Sequence, residues 1–201
     1  MKKPGLLGVL VLLAAALSTT ATLLGAARLM QVKAGLADGV KDLRELISQQ
    51  QVAGAALPGA DGQSSAETPS LGDGETALAI LTFVDAKEAA AVYAGTDTQT
   101  LEKGIGLAAD TATLNEPGNA VLFGHRDSAC RAMESLAPGD EILVETLAGS
   151  CTYRVTEKYI TDPYDPDIYA PSEDTRITIV TCYPFRFVGP APERCVVVAI
   201  A

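Results

Sequence analysis

Tryptophan is absent from the 201-residue sequence, and histidine occurs once, at His125. With one imidazole and no C-x-x-C pair among four cysteines, the sequence contains no zinc-binding pattern. Positive charge is also scarce: 15 basic residues stand against 25 acidic ones, a formal net charge of -10. The imbalance is concentrated late in the chain. Residues 1–76 carry 6 basic and 7 acidic side chains, which leaves 9 and 18 for residues 77–201. An acidic domain of this kind repels phosphate backbones and argues against nucleic acid as a partner. The spacing of Cys130, Cys151, Cys182 and Cys195 defines no disulfide framework. In an exported domain, one pairing among Cys130, Cys151 and Cys195 stays open.

Long apolar runs are confined to the N-terminus. After Lys2 and Lys3 the chain is apolar from Leu6 to Met30, broken only by small Ser and Thr residues and Arg28. About 20 such residues span a bilayer as a helix. The alternative is a signal peptide cleaved near "ALSTTA", but apolarity continues through Leu23, Leu24 and Leu29, beyond a usual signal core. Residues 1–30 are therefore expected to form an uncleaved anchor with the rest of the chain outside the membrane. Val32, Leu36, Val40, Leu43 and Ile47 then recur at helical spacing, and residues 31–53 are expected to form a helical stalk. Residues 54–76, "GAALPGADGQSSAETPSLGDGET", lack periodicity and form a flexible linker.

From residue 77 the pattern becomes β-rich. "ALAILTF", "NAVLFGH", "DEILVET", "CTYRVTEKYI", "RITIVTC" and "RCVVVAI" are strand-like runs, separated by turn chemistry in "EPGN", "APGD", "LAGS" and "DPYDPD". "AKEAAAVY", residues 86–93, is ambiguous between helix and strand. Six or more short strands within residues 77–201 point to a mostly β fold, a closed or nearly closed barrel with short helices.

Three residues stand where such a barrel displays chemistry. His125 ends a strand, directly after Gly124, a position at which backbone passes close to another group. A lone histidine is usually structural. Cys182 also ends a strand, followed by the proline-rich "YPFRFVGPAPE"; a buried inert thiol is its alternative reading. Arg194 opens the last strand, and antiparallel pairing of the last two strands would return it beside Cys182. A surface charge is the alternative there. Thiolate, imidazole and guanidinium together would provide a nucleophile, a proton carrier and an oxyanion donor.

The joined pattern "GNAVLFGHRD" followed by "TCYPFxFVGPAPxR" resembles the sortases, cysteine transpeptidases of bacterial surfaces, and within them class D most. Thr178 to Cys182, "TIVTC", is similar to the family's "TLxTC" signature with Ile179 in place of Leu. "VYAGTDTQTLEKGIG", residues 92–106, resembles the family's stretch ahead of the histidine. The sequence departs from the family where Leu107-Ala108-Ala109 replaces a frequent histidine and proline, and where the first strand lacks its usual following proline. The chain stops at Ala201, without the membrane helix that would follow in pilin-polymerising class C enzymes.

The resemblance implies a sortase-type barrel over residues 77–201 with catalytic His125, Cys182 and Arg194, and with Thr181 shaping the oxyanion site. It implies cleavage of an LPxTG-like signal in exported proteins through a thioacyl enzyme, followed by transfer to an amine such as a peptidoglycan cross-bridge. The expected location is the cell membrane, single-pass, with the catalytic domain outside. Rival readings are a cell-wall cysteine hydrolase and a tethered, non-catalytic binding barrel. Many such hydrolases place cysteine before histidine, whereas here His125 precedes Cys182. No cofactor is expected. Asp162, Asp165, Asp167, Glu173 and Asp174 offer calcium-type oxygens, but without regular ligand spacing turn formation is the favoured role.

Overall fold

The computed structural model describes residues 37–49 and 77–201. The anchor expected within residues 1–30 and the linker expected at 54–76 lie outside the described residues, as do the ends of the stalk. No helix among the described residues is long and apolar enough to cross a membrane.

The described residues contain helix α1 (residues 37–49) and eight strands. The strands are β1 (Ala77–Phe83), β2 (Glu88–Ala94), β3 (Ile105–Leu107), β4 (Gly118–Phe123), β5 (Glu141–Thr146), β6 (Gly149–Thr161), β7 (Thr175–Tyr183) and β8 (Glu193–Ile200). They close a barrel in the order β1-β2-β3-β4-β7-β8-β6-β5. Closure gives every strand a neighbour on each side, although β3 covers only residues 92–94 of β2 and 122–123 of β4. A short helix α2 (Thr98–Lys103) links β2 to β3.

All six expected strands are present, and two more complete the ring. β2 is the ambiguous alanine-rich run. Alanine favours helix, yet β2 is hydrogen-bonded to β1 on one side and β3 on the other, so tertiary pairing decides its state. β3 has only three residues, too few to register as a strand pattern.

Alternation along the strands sorts their side chains into layers. On β4, Ala120 and Leu122 point into the barrel, as do Ile177 and Ile179 on β7 and Cys195, Val197 and Ala199 on β8. The intervening Val121, Val180, Val196 and Val198 form a separate outer cluster with Ile168. A 3-10 turn, Pro166–Tyr169, brings Ile168 over this outer face. Asn119 fastens the cover: its side-chain amide donates to the carbonyls of Ile168 (3.1 Å) and Ala170 (2.9 Å) and its oxygen accepts from the Thr178 hydroxyl (2.7 Å).

Helix α1 and the barrel belong to one compact unit. The apolar stripe Val40, Leu43 and Ile47 packs with Ala77, Ile80, Ala91 and Tyr93. The part of the expected stalk that is described thus lies against the outside of β1 and β2. Arg44 adds an ion pair to Glu145 at 3.6 Å, with the arginine largely exposed.

Candidate active site

β4 and β7 are adjacent and parallel, with Phe123 opposite Val180. Parallel strands end at the same rim, so the residues that follow them emerge together. Gly124 extends the pairing through its amide, which donates to the Val180 carbonyl at 3.2 Å. His125 comes next. Its carbonyl accepts from the amides of Ser128 (3.3 Å) and Cys130 (3.0 Å), which fixes a tight turn around it.

Cys182 lies at the same rim, near the end of β7. It falls in the outward phase of Val180, and β8 runs antiparallel beside it with Arg194 directly opposite. Arg194 has the same outward phase as Val196 and Val198. The structure therefore brings Cys182 and Arg194 together on one face, beside the turn that carries His125. All three are half-buried. The Arg194 guanidinium is steadied by the carbonyls of Glu193 (2.9 Å) and Ala191 (3.4 Å).

Thr181 is buried, and its hydroxyl donates to the Gly124 carbonyl at 2.7 Å. This hydrogen is committed to holding the residue before His125. A Cβ on Gly124 would run into the Cys130 sulfur, which supplies the close approach suspected from the sequence.

The remaining cysteines differ in setting. Cys130 and Cys195 are fully enclosed in the barrel core. Burial raises both thiols above their ordinary value of 9.0, with each thiol's surroundings adding a smaller effect: Cys195 on Cys130, and Lys158 lowering Cys195. Such thiols are poor nucleophiles. Cys151 is half-buried on β6, away from the rim that holds His125 and Cys182. A cavity of about 530 Å³ is lined in part by Glu134, Lys158, Tyr183 and Arg186, but by none of His125, Cys182 and Arg194.

In the acidic segment, Asp162 accepts from the Tyr164 amide and Asp165 from the Asp167 amide, each at 2.9 Å. Asp165 also takes the Thr161 hydroxyl, and these bonds hold its carboxyl below the usual carboxylate range. Both are turn-forming roles. Among the described residues, no three His, Cys, Asp or Glu side chains converge as a metal cage would need.

A sortase-domain family model matches residues 83–201, more than half of the chain. The chain belongs to the sortase family. It is 36% identical over 107 residues to Sortase D of Bacillus subtilis (strain 168), a match covering 53% of this chain and 54% of that protein. The chain thus spans about half the length of this curated relative. Among solved structures, the catalytic domain of B. anthracis SrtD is 30% identical, with a TM-score of 0.54, covering 71% of this chain and 97% of that one. A Clostridium perfringens Sortase D5 transpeptidase shares the fold at 22% identity and a TM-score of 0.60, covering 85% of this chain and 99% of that one. Class D sortases are therefore among its relatives.

Three residues with no role assigned from the sequence make long-range ties near these strands. Asn119 and Thr178 hold the turn covering the outer face. Arg126, next to the histidine, reaches the loop between β7 and β8. Asn119 and Arg126 both lie inside the "GNAVLFGHRD" pattern, but their partners are distant in sequence.

Proposed function

We propose that this protein is a membrane-anchored cysteine transpeptidase that cleaves an LPxTG-like sorting signal of exported proteins and passes the acyl group to an amine. The observation that carries this reading is the pairing of Cys182 with Arg194 at the rim where β4 hands over to His125.

In the proposed scheme the Cys182 thiolate attacks the carbonyl carbon of the signal's threonine. Charge moves to the carbonyl oxygen, and Arg194 donates hydrogen bonds to it. As the C–N bond breaks, imidazolium at His125 gives its proton to the departing amine, leaving a thioester on Cys182. An incoming amine, such as a peptidoglycan cross-bridge, then attacks the thioester and yields its proton to His125. The C–S bond breaks and thiolate returns. Two easier acyl transfers replace one difficult step. Thr181 contributes by holding Gly124, and so the start of the histidine turn. Side chains alone carry this scheme, and no cofactor enters it. The N-terminal apolar segment would place the catalytic domain on the outer side of the cell membrane, where substrate and acceptor meet.

A peptide-library cleavage assay with the full chain, run with and without added amine, tests the reading. Amine-dependent ligation products on one signal class are expected. Cleavage that ignores the amine would favour a hydrolase, and no cleavage of any peptide would favour a binding barrel.

A further inference from the structure

In the loop that joins β7 to β8, Phe185 packs on the barrel core and edge-on to Tyr183 at 6.0 Å, but little holds the stretch beyond it. Phe187 is 43% exposed and Val188 is 100% exposed. Arg186 extends into solvent, with only a surface ion pair to Glu134 at 3.4 Å. Exposed pairs of this kind contribute little. Yet this loop joins the strand ends that carry Cys182 and Arg194, so its shape bears on how those two residues face a substrate.

One side chain from outside the loop grips it. Arg126 donates through Nη1 to the Pro184 carbonyl (3.0 Å) and through Nη2 to the carbonyls of Phe187 (2.8 Å) and Gly189 (3.4 Å). The loop backbone curls around a single guanidinium. Arg126 also directly follows His125, and its own backbone lies in the turn closed by the Ser128 and Cys130 amides. One residue thus ties the histidine turn to the segment between cysteine and arginine.

We propose that Arg126 is a positioning residue that locks the 184–189 loop to the His125 turn and thereby sets the mutual alignment of His125, Cys182 and Arg194. Its link to turnover rests on the transpeptidase reading above; the clamp itself does not. A planar fork suits the task, because carbonyls in different directions need donors at fixed angles. Lysine offers a single charged point and cannot span them. Misplacing reacting groups by about 1 Å can cost on the order of 10²-fold in rate.

The test compares the full chain with Arg126→Ala and Arg126→Lys, with Arg186→Ala as the loop control. Hydrogen–deuterium exchange of amides in residues 183–191 should quicken in both Arg126 variants, with exchange in β1, β5 and β6 unchanged. For an LPxTG-type peptide, kcat should fall about 10- to 100-fold while KM moves within about 3-fold. Guanidinium ion at tens of millimolar should restore part of the Arg126→Ala loss by donating again to the vacated carbonyls. Unchanged loop exchange overturns the proposal whatever the activity does. Quickened loop exchange with unchanged kcat overturns the link to catalysis, and quickened exchange across the whole barrel overturns a local clamp. A wild-type chain without transfer activity defeats the transpeptidase reading instead, and loop exchange then decides the clamp.

Discussion

Cys182 and Arg194 face each other directly across the β7–β8 pair, one residue in from Tyr183 and Glu193. The register leaves neither residue free to slide, since a shift of one position would turn Cys182 inward and bring Thr181 out. Arg194 should therefore matter through geometry as well as charge. Arg194→Ala and Arg194→Lys are both expected to lower kcat/KM for an LPxTG-type peptide by about 10²–10³, the loss typical of one oxyanion donor. Arg186→Ala should cost far less, because Arg186 makes only a surface ion pair with Glu134. Equal, small losses at both arginines would return Arg194 to the status of a surface charge.

Cys182→Ala should abolish acyl transfer and leave the thermal midpoint close to wild type, since the side chain is half-buried at a rim. A thiol reagent at neutral pH should modify Cys182 and spare Cys130 and Cys195, which are enclosed in the core. Peptide mapping of the adducts decides the point. Turnover surviving in Cys182→Ala would overturn the choice of nucleophile.

Gly124→Ala forces a Cβ against the Cys130 sulfur. Overpacking of this sort costs about 1–3 kcal/mol. It also pushes on the residue before His125, so kcat should fall with stability. Adding Cys130→Ala removes the opposing atom and should recover part of both losses. Urea denaturation of the two single variants and the double variant measures the coupling, and strict additivity would contradict it.

Asp97 caps helix α2, accepting from the amides of Gln99 (2.9 Å) and Thr100 (3.1 Å) and from the Thr100 hydroxyl (2.7 Å). The Thr100 bonds hold its carboxyl below the ordinary value of 3.8. A carboxyl lowered on folding stabilises above its unfolded value and loses that contribution as pH falls through the folded one. Asp97→Ala should thus lower the thermal midpoint at neutral pH by a few degrees. The gap to wild type should narrow once pH drops below about 4. A gap independent of pH would show that the charge contributes nothing.

Much of this arrangement was legible in the sequence because it depends on local alternation. The β-branched runs ending at Cys182 and beginning at Arg194 read as two strands, and the short connection between them allowed the antiparallel return that the structure shows. The glycine before His125 correctly signalled a tight approach. What stayed hidden depends on partners far along the chain. The alanines of β2 carry no strand preference until β1 and β3 flank them. Helix α1 showed its apolar stripe, but not that the stripe would lie on Ile80 and Tyr93. Nothing local in "HRD" says that an arginine will grip carbonyls 58 to 63 positions later.

The parallel pairing of β4 with β7 also governs the order in which the molecule can assemble. The β1–β2 and β5–β6 hairpins close over connections of four and two residues, 84–87 and 147–148. By contrast, β4 must wait for β7 across residues 124–174, a segment that includes the whole β5–β6 hairpin. Contacts so distant in sequence carry the larger loop-closure entropy and form slowly. The rim shared by His125 and Cys182 is therefore expected to be among the last parts to form. The thiol and the imidazole, carried at the ends of different strands, are thus kept apart until the barrel has shut.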